Sequence, residues 1–208
     1  MELLLIRHGL PVRRELTEGR ADPELSEEGR QQAEHLRQYL SSEQLDAVYA
    51  SSLARAVQTA EPLVVDRDLE LVVEPDVAEY DRDSPEYVPV EELRAANDPR
   101  WRAMLDGTWQ EQDEGTAEFG GRVLGAIARI VERHRSQRVA VVCHGGVINA
   151  YLVDVLGLPA DSRGFFYPNY TSIHRVAAAS SGERSIVTVN ETSHLRGTGL
   201  PMGIFQGG

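Results

Sequence analysis

The sequence predicts a three-layer α/β domain, a mostly parallel mixed sheet flanked by helices, and three observations carry that prediction. Short apolar runs alternate with stretches of helical periodicity. Two of those runs stop abruptly at a histidine next to glycine, in Arg7-His8-Gly9 and Cys143-His144-Gly145-Gly146. A third passes through Ser51-Ser52 into a helix whose first turn holds Arg55. Strands separated by helices favour parallel pairing, and such sheets bind ligands beyond the C-terminal ends of their strands. Polar residues at three strand ends therefore point to one crevice.

Taken in order, residues 2–6 form a short apolar strand that ends at the Arg7-His8-Gly9 turn. Ser26 caps a helix from Glu27 to about Leu40, with acids in its first turn and Ala33, Leu36 and Leu40 on one face. Residues 47–50 read as a second strand, followed by a helix from about Leu53 that Pro62 is expected to disturb or end. The β-branched and leucine-rich stretch 64–74 suggests another strand. Between residues 80 and 121 the chain carries eleven acids against four arginines, with three prolines and two tryptophans, Trp101 and Trp109. Little periodicity survives there, so this stretch reads as a partly helical excursion capping one end of a single domain that spans residues 1–208. Helical spacing returns with Phe119, Val123, Ile127 and Ile130. Residues 138–143 are the clearest buried strand, followed by a helix to Gly157; residues 172–178 and 185–190 form late strands joined by a Ser-Ser-Gly turn. The last residues, from 192, are glycine-rich and fit a tail, a strand-edge cover or a dimer contact.

Composition narrows the function. The formal charge of −12 opposes attraction to nucleic acid or anionic membrane. All 21 basic residues are arginine, which excludes a Walker lysine, a pyridoxal Schiff base and a lysine nucleophile. The first six residues make a poor signal peptide, and Cys143, the only cysteine, cannot form an intramolecular disulfide. A cytoplasmic location is expected, and a homodimer is the default assembly.

Two histidines and two arginines, Arg7, His8, Arg55 and His144, make a compact anion site, and a phosphoryl group fits it best. Phosphoryl transfer needs a positioned nucleophile and donors aimed at the equatorial oxygens, and arginines supply those donors without a metal or other cofactor. Either histidine can be the nucleophile. Neighbouring guanidinium charge favours a neutral imidazole, and the leaving oxygen needs an acid, for which Glu79 is best placed. Cys143 beside His144 invites a thiol nucleophile, but adjacent strand residues face opposite ways and a buried cysteine is commonly inert. His174 and His194 lack metal-ligand spacing and are expected to be structural.

These residues carry a resemblance. Leu5-Ile6-Arg7-His8-Gly9 resembles the signature of the histidine phosphatase superfamily, the phosphoglycerate mutase-like group. Asp22-Pro23-Glu24-Leu25-Ser26 with Gly29 and Gln32-Ala33, then Ser51-Ser52-Leu53-Ala54-Arg55-Ala56 with Gln58-Thr59-Ala60, resemble its next two blocks, and Cys143-His144-Gly145-Gly146 resembles the last. The resemblance implies a phosphoglycerate mutase-like fold and a phosphohistidine formed on His8. It also implies a phosphate pocket lined by Arg7, Arg55, His144 and Gly145, and a proton donor at Glu79. Two stretches depart from the pattern. Leu10-Pro11-Val12-Arg13-Arg14 holds no asparagine where the family's pocket often has one, so backbone or an arginine is expected in its place. Tyr80-Asp81-Arg82-Asp83 stands where many phosphatase members have a glycine and then Trp-Glu-Gly, which makes Asp81 and Asp83 rival acids. The expected reaction is metal-independent hydrolysis of a small phosphomonoester. The alternatives are a phosphoglycerate mutase-type transfer and a non-catalytic phosphate-binding module.

Overall fold

The computed structural model describes residues 1–105, 115–159, 162, 165–179 and 181–204. Its elements run β1 (Glu2–Arg7), β2 (Arg14–Glu15), α1 (Glu27–Leu40), β3 (Ala47–Ala50), α2 (Ala54–Val65), β4 (Leu71–Val73), β5 (Glu86–Tyr87), α3 (Val90–Ala95) and α4 (Pro99–Leu105). They continue with α5 (Thr116–Arg133), β6 (Arg138–Cys143), α6 (Gly145–Val155), β7 (Ile173–Ala178) and β8 (Arg184–Glu191). The six-stranded sheet has the order β4-β3-β6-β1-β7-β8. Its first four strands are mutually parallel, while β7 and β8 add an antiparallel edge.

Alternation along the central strands sends side chains to two separate cores. Leu3 and Leu5 of β1 join Val139, Val141 and Cys143 of β6 and the apolar stripes of α5 and α6 on one face. Leu4 and Ile6 join Ala140 and Val142 with Leu36 of α1 and Leu63 of α2 on the other. The result is the three-layer arrangement predicted from the alternating pattern. At its start α1 is held by the Ser26 side chain, which accepts the Gly29 N–H at 3.0 Å.

Two predicted elements differ. Helix α2 continues through Pro62 to Val65, so the proline neither ends it nor leaves 64 and 65 to a strand. Packing of Ala56, Ala60 and Leu63 against the sheet outweighs the lost helical hydrogen bond. The expected 64–74 strand shrinks to β4, an edge strand whose Val72 and Val73 are exposed. In the excursion, β5 pairs with β2 antiparallel and α3 and α4 follow; Trp101 lies in α4, and Trp109 falls outside the described residues. The glycine-rich end packs back on the domain: Leu195, Leu200 and Met202 form a small buried cluster, and Met202 O accepts the Tyr170 N–H at 2.8 Å. Among the described residues no helix is long and apolar enough to cross a membrane.

Candidate active site

Strand register brings the two histidines together. Strands β1 and β6 are parallel neighbours with Arg7 opposite Cys143, so the next residue on each, His8 and His144, leaves the sheet at the same edge. Their ring centroids are 5.1 Å apart, and both side chains are buried. Strand β3 lies on the other side of β6, and the turn after it supplies Ser51, whose Oγ is 2.7 Å from His144 Nε2. Arg55 follows in the first turn of α2, with only 1% of its side chain exposed.

The loop carrying His8 is fixed by residues of the second and third sequence blocks. Gly9 N–H donates to Thr59 Oγ1 at 2.9 Å and Leu10 N–H to Gln32 Oε1 at 2.8 Å. In the second block's own loop, Gln58 Oε1 accepts Leu25 N–H and Asp22 Oδ1 accepts Ala54 N–H. A Cβ at Gly29 would stand 2.1 Å from Leu10 O, and one at Gly9 would stand 2.8 Å from Gly29 O, so these two glycines let α1 and the loop touch. The block pattern beyond the histidines and arginines is thus scaffolding for the strand-end loop.

His8 Nδ1 lies 2.7 Å from Gly9 O. A carbonyl oxygen only accepts, so Nδ1 carries the proton and the lone pair is on Nε2. Burial, followed by the charges of Arg55 and Arg7, holds the His8 ring well below the usual histidine range, against the opposing pull of the Gly9 hydrogen bond. Burial and Arg55, with smaller contributions from His8 and Arg7, do the same at His144. Both rings are therefore neutral at pH 7.

Four buried nitrogens around this pair, Arg7 Nε, Arg55 Nε, Arg55 Nη1 and His144 Nδ1, have no hydrogen-bond partner among the described residues. Other atoms of the same arginines are anchored. Arg7 Nη1 donates to Pro168 O at 2.8 Å, and its guanidinium lies 4.1 Å from the Tyr170 ring centre. Arg55 Nη2 donates to Asp81 Oδ1 at 2.7 Å, with the guanidinium 4.6 Å from the Tyr87 ring centre. The guanidiniums are thus oriented by one set of contacts while other N–H groups remain available.

Glu79 enters from the stretch after β4. Its Oε2 accepts Gly146 N–H at 2.7 Å and its Oε1 accepts Tyr80 N–H at 3.1 Å. Burial and then the nearby Asp81 charge raise its pKa, outweighing the two backbone hydrogen bonds and Arg55. Its rivals are engaged differently: Asp81 pairs with Arg55, and Asp83 is 62% exposed beside Arg82. Gly146 leaves room for the Glu79 carboxylate, since a Cβ there would stand 2.1 Å from Glu79 Oε1; at Gly145 a Cβ would meet nothing within 4 Å. The expected stand-in for the missing asparagine does not come from Arg13 or Arg14. Both are exposed, Arg13 pairing with Glu15 and Glu92 and Arg14 donating to Asp22 O. Cys143 is buried and burial pushes its thiol pKa up, while His174 and His194 bond Ser172 and Thr171 within the domain.

Tyr170, Tyr87 and Glu91 escaped the sequence reading. Because β7 is antiparallel to β1, the residues before β7 sit at the same edge as His8, and Tyr170 packs there with its ring 6.0 Å from the His8 ring. Glu91 of α3 accepts hydrogen bonds from Tyr167 and Tyr170 at 3.1 and 3.0 Å, tying the excursion to this edge. The only signal available was the Tyr167-Pro168-Asn169-Tyr170 cluster just before a strand.

A cavity of about 740 Å³ opens from Arg7, Glu79 and Gly146 and runs between the excursion and helices α5 and α6.

The histidine phosphatase superfamily (branch 1) profile matches residues 3–192. This chain belongs to that superfamily. It is similar to Phosphoserine phosphatase 1 of Hydrogenobacter thermophilus, 31% identical over 205 residues covering 94% of each chain. It also resembles a probable phosphoglycerate mutase of Erwinia tasmaniensis, 28% identical over 96% of this chain and 97% of that one. Among solved structures, Bacillus stearothermophilus YhfR superposes with a TM-score of 0.75 at 25% identity, covering 93% of this chain and 98% of that one. The chain is a phosphatase-type or phosphoglycerate mutase-like enzyme of this superfamily, and its fold is the one the sequence resemblance implied.

Proposed function

We propose that the protein hydrolyses small-molecule phosphomonoesters without a metal, through a phosphohistidine on His8. The observation that carries this reading is the pinned His8 ring, whose Nδ1 is committed to Gly9 O and which lies within the field of the buried Arg55 and Arg7 guanidiniums, each with uncommitted N–H groups. In the first step Nε2 attacks phosphorus, the P–O bond to the alcohol breaks, and the Glu79 carboxyl gives its proton to the leaving oxygen. Arg7, Arg55 and His144 Nδ1–H hold the equatorial oxygens, with the Ser51 hydroxyl donating to His144 Nε2 and thereby placing that ring's proton on Nδ1. The Gly145 N–H, at the N-terminus of α6, is a further donor toward this anion. In the second step the Glu79 carboxylate takes a proton from water, the hydroxide attacks phosphorus, and the P–N bond breaks to return neutral His8 and inorganic phosphate.

Positive charge in the pocket comes from arginines, which favour a phosphoryl anion and repel a cation. A phosphatase named for phosphoserine among the relatives supports hydrolysis, and the mutase-named relative supports the same first step with a different acceptor. Absence of a membrane-length helix among the described residues and a single buried cysteine fit a cytoplasmic enzyme. Assay with p-nitrophenyl phosphate in chelator, beside a His8→Ala variant, tests the reading. Release of p-nitrophenol and inorganic phosphate by the parent, lost in the variant, is expected; equal activity in the variant, or dependence on added metal, overturns it.

A further inference from the structure

The cavity beyond the phosphoryl pocket is much larger than the alcohol portion of a phosphoserine or phosphoglycerate, and part of its wall is apolar. Its volume of about 740 Å³ falls within the range of roughly 300–1,000 Å³ that encloses drug-sized ligands. Its walls include Tyr80, Tyr87, Leu93, Phe119, Leu124 and Val153. Tyr80 is stacked on the buried Phe119 with near-parallel rings, which holds the Tyr80 side chain in place in the wall.

Away from Arg7 and Glu79 at the phosphoryl end, the described charged groups lining it are paired within the protein. Glu86 pairs with Arg100 at 3.0 Å, Asp154 with Arg184 at 2.5 Å, and Asp81 with Arg55 at 2.7 Å. Apart from Arg7 at the phosphoryl end, Arg100 is the one arginine among the described lining residues, and it is bound to Asp98 at 2.9 Å as well as to Glu86. The Asn149 amide is equally engaged, donating to Gly145 O and Phe166 O and accepting from Phe166 N–H. Among the described lining residues beyond Arg7, a substrate carboxylate would lose its hydration without finding an uncommitted cation, and it would face the acids Asp81, Asp83 and Glu86. An uncharged apolar or aromatic group would meet complementary walls.

We infer that the preferred substrates are monophosphate esters of bulky, uncharged, largely apolar alcohols, selected against small carboxylate-bearing phosphates. This rests on the hydrolase reading above. The step is the one already written, with the neutral alcohol leaving into the cavity as it takes the Glu79 proton.

The test compares phenylpropyl phosphate with L-phosphoserine and 3-phosphoglycerate. The apolar ester and phosphoserine are both esters of primary alcohols, which keeps their intrinsic leaving-group reactivity close. The expected kcat/KM favours the apolar ester by about 100-fold, the equivalent of about 2.7 kcal/mol. A Met104→Arg variant places a cation on a lining side chain that is 40% exposed and outside the packed core. It is expected to narrow the gap to about 10-fold through a lower KM for phosphoserine, one tenfold step being worth about 1.4 kcal/mol, with an unchanged circular dichroism spectrum. Equal or better turnover of the two acids through His8, or a gap that Met104→Arg leaves intact, overturns the inference and spares the hydrolase reading. No turnover of any ester, with no phosphoryl label on His8, overturns the hydrolase reading and this inference with it.

Discussion

Two proton positions decide whether His8 and Glu79 can work as a pair. His8 has to be neutral with its lone pair on Nε2, and burial with the two guanidiniums keeps it so well below neutral pH. Glu79 has to hold a proton when substrate binds, and burial with Asp81 raises its pKa toward that condition. Activity should therefore fall as pH rises through the raised Glu79 value, because the first step then lacks its acid. Glu79→Gln is expected to lower kcat on an alkyl phosphate by about 100-fold or more. On p-nitrophenyl phosphate, whose leaving group needs no proton, the same variant should give a rapid first turnover followed by slow steady turnover, since water then lacks its base. Stopped-flow measurement of p-nitrophenol release checks this. Steady turnover at the parent rate, with no burst, would transfer the role to Asp81 or Asp83.

At the scale of elements, the site depends on close approaches to the backbone for which glycine leaves room. Gly146→Ala would drive a methyl into Glu79 Oε1 and displace the carboxylate from the α6 N-terminus. Loss of kcat by about 100-fold with little change in melting temperature is expected, as a misplacement near 1 Å can cost that much. Gly29→Ala differs, because the obstructing atom is the Leu10 carbonyl, which cannot swing aside as a side chain can. It should cost about 1–3 kcal/mol of stability as well as activity, measured by urea unfolding. The sequence revealed the blocks containing these glycines but not what each one touches. Periodicity placed β1, α1, β3, β6 and α6 well, because each has a single buried face or a sharp end. It misplaced the end of α2, where packing overrode Pro62, and it could not resolve the excursion, whose short elements are held by β2, Glu91 and the tyrosines before β7. Arg7, His8, Arg55 and His144 were legible because they sit at strand ends and helix starts. Tyr170 was not, because its place at the site follows from the antiparallel direction of β7, a property of the whole sheet.

Across the whole molecule, acid stability should be set by buried histidines. His8, His144, His174 and His194 are all buried, and all four are held below the ordinary histidine value, the last two down to about 4, chiefly by burial. A histidine lowered in the folded state binds protons more readily when the chain unfolds. Each such residue therefore costs nothing above the unfolded value near 6.5 and destabilises the fold progressively as pH falls toward the folded value. At pH 5, His174 and His194 should each lower stability by about 2 kcal/mol relative to pH 7.5. Glu79, raised in the folded state, acts in the opposite direction over the acidic range and offsets part of the loss. His174 lies away from the phosphoryl pocket, bonding Ser172 Oγ and accepting from Asn190 N–H, so its share can be removed separately. In His174→Gln, which retains a polar side chain of similar reach, the loss of stability between pH 7.5 and pH 5 should shrink by about 2 kcal/mol. Activity at pH 7.5 should remain close to that of the parent. Chemical denaturation at the two pH values gives the comparison, and an unchanged difference would mean that His174 takes up a proton in the folded protein as easily as in the unfolded chain.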